Sequence, residues 1–253
     1  MIDTIVLNSP PISEELAKII EDVSVVRSGI DFEVGEIMYR FTTKQLKGTY
    51  DSSIRINIKR EKYVSFKDMR TLKKVTEKIP CKPYLEIECS LHKFFLGHNI
   101  YGGSDDIKNQ VLILINFIEN EFNVTLPYYE EFTVKRIDYA RVYDLGSNID
   151  IFFKGFSEVY YPRRECLKYG KTGLYFPGTY TTLKLYNKYE EFRKNDKKKL
   201  KHILSPTKLK ELQDISKGKL RIEVEVKSRK LRDIYKELPT VKDININDII
   251  KQF

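Results

Sequence analysis

The residues Thr182-Leu-Lys-Leu-Tyr-Asn-Lys-Tyr-Glu-Glu-Phe192 read as a short strand running into a charged helix, with Tyr186, Lys188, Tyr189 and Glu191 at the join. A tyrosine beside a lysine and acidic residues can cut a phosphodiester and hold the cut end. Its phenoxide attacks phosphorus and becomes a phosphotyrosine, so the bond energy is kept for rejoining. A nearby lysine offsets the developing charge. By residue type and position, Tyr186 and Tyr189 both qualify as the nucleophile.

Such chemistry calls for a divalent cation to polarise the phosphate. Mg2+ or Mn2+ takes hard oxygen ligands, and carboxylates on neighbouring strands supply them. Three alternating strands carry acids in suitable places: Glu86 and Glu88 in Lys82-Pro-Tyr-Leu-Glu-Ile-Glu-Cys89, Asp138 in Arg136-Ile-Asp138, and Glu223 and Glu225 in Lys219-Leu-Arg-Ile-Glu-Val-Glu-Val-Lys227. His98 lies in the glycine-punctuated stretch Phe94-Phe-Leu-Gly-His-Asn-Ile-Tyr-Gly-Gly-Ser-Asp-Asp106 and is a further candidate ligand. The candidate ligands are therefore Glu86 or Glu88, Asp138, and Glu223 or Glu225, with His98 beside them. The chain has no H-x-H pair and no G-x-x-x-x-G-K-[ST] loop, which excludes a two-histidine metal site and an ATPase of that type. The three cysteines, Cys81, Cys89 and Cys166, lack metal-site spacing and fit a reducing cytoplasm.

The elements that must position these groups follow from hydrophobic period. Strands are expected at Ile5-Val-Leu, at residues 53–59, 82–89, 133–143, 174–176, 180–187 and 219–227. In residues 82–89, Tyr84, Glu86 and Glu88 share one face and Leu85, Ile87 and Cys89 the other. Alternation over residues 182–188 puts Tyr186 on one face with Thr182, Lys184 and Lys188. Helices are expected after Ser13, over 107–122 with Ser104, Asp105 or Asp106 as cap, and over about 190–216 with a break near Ser205-Pro206. Several alternating strands with a few helices between them predict an α+β domain, a mostly antiparallel sheet flanked by helices. The reading is one domain over residues 1–253, with a small C-terminal extension from about 230.

With 45 Lys and Arg against 36 Asp and Glu, the chain carries +9, a surplus that favours a polyanionic partner. Lys184, Arg136, Arg163, Arg164 and Arg221 are the candidate DNA contacts. The Lys-rich stretch 193–219 is a candidate track for the backbone, and Tyr101, Tyr160 and Tyr161 are candidates for stacking on unpaired bases. No apolar run has the length of a membrane span, and the N-terminus does not read as a signal peptide.

Four stretches together resemble the filamentous-phage gene II replication proteins and their plasmid relatives, the rolling-circle replication initiators. They are Tyr84-Leu-Glu-Ile through the K-x-x-x-G-H-N-x-[FY]-G loop with Ser104-Asp-Asp; Arg136-Ile-Asp; Thr182-Leu-Lys-Leu-Tyr-Asn-Lys with Glu191; and Leu220-Arg-Ile-Glu with Lys227. The similarity starts at Met1-Ile-Asp and covers most of the chain. The resemblance implies a rolling-circle endonuclease-like fold and a metal-dependent enzyme that nicks one origin strand. Such an enzyme stays on the 5′ end through tyrosine and later rejoins the strand. The family's nucleophile falls on Tyr186 and not on Tyr189; Lys188 and Glu191 also match, and Glu86, Asp138 and Glu223 fall on acidic positions. Implied partners are double-stranded origin DNA, the displaced single strand, and a host helicase and polymerase, in the cytoplasm of a bacterium carrying the phage or plasmid. The phage proteins continue past the last matched strand, so an end at Phe253 fits a shorter plasmid-type initiator or a catalytic domain. The alternative is a non-catalytic origin-binding regulator.

Overall fold

The computed structural model describes residues 1–22, 26–30, 37–44, 54–67, 74–101, 104–159, 161, 163–170 and 172–252. Tyr160 lies outside them. The strands are β1 (Ile2–Asn8), β2 (Val26–Ile30), β3 (Ile37–Lys44), β4 (Ile54–Lys67), β5 (Lys74–Ser90), β6 (Thr133–Asp144), β7 (Leu167–Lys168), β8 (Gly173–Phe176), β9 (Thr181–Asn187) and β10 (Lys219–Lys227). Among the described residues they form one ten-stranded sheet in the order β2-β3-β4-β5-β1-β6-β10-β9-β8-β7. Each pairing is antiparallel. The helices are α1 (Glu14–Asp22), α2 (Leu91–Leu96), α3 (Ile107–Phe122), α4 (Ile149–Phe156), α5 (Lys188–Glu191), α6 (Lys197–Leu200), α7 (Pro206–Ser216), α8 (Ser228–Tyr235) and α9 (Ile246–Ile250). The expected α+β architecture is what the chain adopts.

Alternation along the strands sorts the side chains onto two unlike faces. Ile5 and Leu7 of β1, Leu85, Ile87 and Cys89 of β5, and Ile54 and Ile56 of β4 are buried in one core with Ala17 and Ile20 of α1 and Val111, Leu114, Ile115 and Ile118 of α3. Each such aliphatic side chain contributes about 1.5–3 kcal/mol by leaving water. Leu231, Val241, Ile244 and Ile249, all past residue 230, belong to this same core. A second apolar patch joins Ile149 and Phe153 of α4 to Leu174, Phe176, Leu185 and Leu220. The other face carries Glu86, Glu88, Arg136, Asp138, Lys184, Tyr186, Arg221, Glu223 and Glu225, and this is where the candidate chemistry gathers.

Local signals explain where elements begin and stop. The Asp106 carboxylate accepts from the Asn109 amide and caps α3, and Asn123 ends it in the left-handed conformation. Ser205 caps α7, with Pro206 in its first turn, so the expected break falls there. The stretch 190–216 is not one helix: α5 passes through a π-turn at Phe192–Asp196 into α6 before that break. Its apolar residues Phe192, Leu200, Leu209 and Leu212 form a third core with Ile100. β5 starts well before residue 82 and runs through Pro80 and Pro83, which masked its length in the sequence. At the end of the sheet Gly218 has φ 67°, and a Cβ there would sit 2.6 Å from Gly146 Cα. Only glycine allows β6 and β10 to close on each other at that point.

Candidate active site on the polar sheet face

The register of β9, β10 and β6 sets the site row by row. Tyr186 lies opposite Arg221, Lys184 opposite Glu223, and Thr182 opposite Glu225. Glu225 in turn lies opposite Asp138. The Tyr186 hydroxyl donates to Glu223 Oε2 at 3.1 Å. Lys184 Nζ donates to Glu223 Oε1 at 2.8 Å and stands 3.3 Å from Glu225 and 3.6 Å from Asp138. One ammonium therefore serves three carboxylates. Asp138 is also held by Arg136, whose Nε donates to Oδ1 at 2.8 Å, and Arg136 Nη2 reaches Glu88 at 3.2 Å.

Arg221 is fully buried under this row. Its Nη2 stands 2.7 Å from Asp3 Oδ1 and its Nη1 donates to the Asn99 carbonyl at 3.0 Å. Its Nε makes no hydrogen bond among the described residues and lies 3.6 Å from Glu223 Oε2. Asp3 reaches the guanidinium because β1 is irregular there: Ile2 pairs with Tyr139 and Thr4 with Asp138, which leaves Asp3 as the extra residue. Asn99 donates from its side chain to Asp3 at 3.0 Å and accepts from Lys188. Lys188 further contacts Glu191 and Asp196, and Lys93 donates to both of those carboxylates at 2.8 Å. This two-lysine, two-carboxylate knot fastens α5 and the π-turn after it to α2, and through Asn99 to Asp3 of β1.

Burial and neighbouring charge perturb several groups. Burial raises the Tyr186 phenol well above its ordinary value; Arg221 works against this and Glu223 adds to it. Burial pushes Asp138 up to about 7 despite Arg136, and the Glu223 carboxylate reinforces the rise. Burial opposes ionisation of Glu191, but the Lys188 and Lys93 ammoniums hold it down, to about 2. His98 falls to about 4 through burial and then through Lys188, His92, Lys208 and Lys93.

The structure brings Tyr186, Asp138 and Glu223 together, and it revises several other expected roles. Glu86 is not among them: it lies opposite Asn8 and Asn57 and pairs with Lys135 and Lys59. Asp138 belongs to the row of Thr4 and Ser90, four residues along β5 from Glu86, about 13 Å at strand rise. Glu88 is the β5 carboxylate that shares Arg136 with Asp138. His98 also stands apart; its ring packs on Tyr101 at 5.0 Å and its Nδ1 accepts from the Ile100 amide. Among the described residues no three His, Cys, Asp or Glu side chains form a ready metal cage. Asp138, Glu223 and Glu225 surround an ammonium instead.

Lys188 is not a strand residue beside Lys184. β9 ends at Asn187, whose side chain caps α5, and Lys188 opens that helix, buried in the ion knot. Tyr189 turns away, its hydroxyl accepting from Gln213 of α7 at 3.2 Å. Arg221 cannot meet DNA from its buried position. Arg163 is exposed. Arg164 lies on the opposite face of the sheet, donating to Thr181 Oγ1 at 2.6 Å with Tyr161 beside it. Lys184 and Arg136 remain on the site face but are engaged by carboxylates. Two open clefts flank Lys184. One, of about 430 Å³, is lined by Tyr186, Lys184, Tyr169, Tyr175, Glu190 and Lys194. The other, of about 310 Å³, is lined by Lys184, Asp138, Glu223, Arg136, Lys93 and Lys199.

Asp3, Asn99, Lys93 and Asp196 were not singled out as site residues by sequence reasoning. The signal for three of them was in view: Lys93 and Asn99 belong to the K-x-x-x-G-H-N loop motif, and Asp3 to the Met1-Ile-Asp start.

Comparison with solved structures finds likeness to a rolling circle replication initiator protein from Geobacillus stearothermophilus. It covers 93% of this chain and 77% of that one at 10% identity, with a TM-score of 0.35. No curated protein gives a significant match. The family model for the N-terminal part of the gene II replication-associated protein matches residues 1–247, nearly the whole length, and the chain belongs to that family of replication-associated proteins.

Proposed function

We propose that the protein is a rolling-circle replication initiator that nicks one strand of origin DNA with Tyr186, keeps the 5′ phosphate as a phosphotyrosine, and later rejoins the strand. The observation that carries this is the hydrogen bond from the Tyr186 hydroxyl to Glu223, on a sheet face that also holds Asp138 and two cation-lined clefts. Glu223 is placed to accept the phenolic proton as Tyr186 oxygen attacks phosphorus and the 3′ oxygen leaves. Because the resting phenol is held well above its usual pKa, the proton must depart with the attack. Arg221, whose Nε lies 3.6 Å from the Glu223 oxygen that accepts from Tyr186 and whose charge favours the ionised phenol, stabilises the phenoxide as it forms. Lys93, Lys199 and Lys194 line the clefts that would receive the backbone on either side.

The carboxylates Asp138, Glu223 and Glu225 are hard oxygen donors of the type such a cation takes, and Asp138 is raised chiefly by burial, with the Glu223 carboxylate adding to it. They would hold Mg2+ or Mn2+ only in place of the Lys184 ammonium that they now surround, and the cation would supply polarisation of the scissile phosphate. Lys184 neutralises the same three carboxylates and lines both clefts, where its ammonium would offset charge on a bound phosphate. Origin duplex and the displaced single strand are the DNA partners in this reading, with a host helicase and polymerase acting on the opened fork.

The deciding experiment is nicking of a supercoiled origin plasmid with Mg2+ or Mn2+, with the covalent adduct trapped on denaturing gels. Tyr186→Phe is expected to lose both nicking and adduct, and Tyr189→Phe to keep both. An adduct that persists in Tyr186→Phe refutes the nucleophile. Wild-type protein that binds the origin but never relaxes the plasmid supports the non-catalytic regulator reading.

A further inference from the structure

The face of β6, β9 and β10 that looks away from Tyr186 has its own groove, of about 350 Å³. It falls between the main core and the α4 patch, where Leu183, Ile222 and Val224 form an apolar floor. Its walls are aromatic and cationic. Tyr139, Arg141 and Tyr143 come from β6, with the Arg141 guanidinium 5.9 Å from the Tyr139 ring. Across the groove the Arg164 guanidinium lies 4.8 Å from the Tyr161 ring. Arg164 is braced there by its hydrogen bond to Thr181 and by close approach to Gly178, where a Cβ would stand 3.1 Å from its Cζ. No acidic side chain lines the groove, and neither arginine has a carboxylate partner among the described residues.

We propose that this groove binds unpaired nucleotides of single-stranded DNA, at a site separate from the one where Tyr186 acts. The charge complementarity is direct, since two arginines in contact only with rings and neutral oxygens meet a phosphate backbone. The tyrosines offer ring faces to bases, and stacking of this kind accepts any base because every base has a π-face. A duplex presents its base faces only to each other, so the groove selects unpaired strand. Side chains on the two sides of a sheet point in opposite directions. A strand held here is therefore not the phosphate at Tyr186 but a flank or displaced segment of it. The inference does not require Tyr186 to be the nucleophile.

The test is a labelled oligo-dT measured by fluorescence anisotropy, with iodouracil photocrosslinking to map its position. Tyr143 and Arg141 are exposed, so Arg141→Ala/Tyr143→Ala leaves the core intact. The double variant is expected to weaken oligo-dT binding on the order of tenfold or more, the effect of losing one stacked base. Tyr143→Phe and Tyr161→Phe should bind nearly as wild type, because a ring is kept. Crosslinks are expected on Tyr139, Tyr143 or Tyr161, while plasmid nicking through Tyr186 continues in the double variant. Unchanged affinity with crosslinks confined to the Tyr186 face overturns the proposal. Tighter binding of matched oligo-rU overturns the assignment to DNA. Loss of nicking in Tyr186→Phe, or its absence in wild type, bears only on the catalytic reading.

Discussion

Replacing Arg221 by methionine tests how the site is held from below. The guanidinium is 0% exposed and its partner Asp3 5% exposed, with 2.7 Å between them. Removing one member of a buried pair strands the other charge, at a cost of roughly 3–5 kcal/mol. Asp3 keeps its hydrogen bond from Asn99, a contact with Thr4 and the more distant charges of Lys93 and Lys188, but loses its one contacting cation once the guanidinium is gone. Arg221→Met should therefore lower stability by about 4 kcal/mol in urea unfolding at neutral pH. Adding Asp3→Asn removes the stranded charge and leaves a neutral amide that Asn99 can still serve. The double variant should recover about half of the loss or more, giving a coupling of about 2 kcal/mol in the cycle. Two results refute the reasoning. Arg221→Met within about 1 kcal/mol of wild type, at unchanged m-value, means that the pair is not buried and isolated as described. A double variant no more stable than Arg221→Met means that the loss is one of packing rather than charge. The same variants carry a catalytic readout: if Arg221 stabilises the phenoxide, nicking stays depressed in the double variant although stability returns.

Four further outcomes follow from particular contacts. Asp138 keeps its proton up to about pH 7, so nicking should rise as pH passes that value, and Asp138→Asn should abolish both the limb and the activity; Mg2+ or Mn2+ should move the midpoint down, and a midpoint indifferent to metal counts against Asp138 as a ligand. Because its folded pKa lies above the ordinary 3.8, the native state holds an extra proton between that value and about 7, and the stability contributed by Asp138 falls as pH rises through this window. Lys184→Met leaves three carboxylates without their shared ammonium, so thermal stability should drop on the order of 3 kcal/mol above neutrality, less in acid, and Mn2+ should raise the melting temperature of the variant more than that of wild type. Gly218→Ala forces a Cβ into the Gly146 backbone from a left-handed residue and should cost about 2 kcal/mol or more by urea unfolding; a cost below about 0.5 kcal/mol would show that the β6–β10 junction is not closed as described.

Sequence alone determined which side chains could share a face. A period of two assigns Asp138, Glu223, Glu225 and Tyr186 to one parity and Ile137, Val224 and Leu185 to the other, and that parity survives folding because it is a property of the extended backbone. Helix starts were legible in part: Asp106 was one of three candidate caps for α3, and the break read at Ser205-Pro206 is where Ser205 accepts from an amide three residues on to start α7. Parity does not say which row of the sheet a residue joins. Glu86 and Glu88 have the same parity, and only the pairing of β5 with β1, and of β1 with β6 past the extra residue Asp3, places Glu88 beside Arg136 and Glu86 out of reach. Depth was hidden in the same way. Arg221 and Lys184 alternate on neighbouring strands as two cations of one face, yet Arg221 is sealed by Asp3 and the Asn99 loop, and Lys184 is open to both clefts. Those partners lie far off in sequence, so strand order, register and the long-range loop contact decided which charged groups opened onto the clefts and which were buried beneath them.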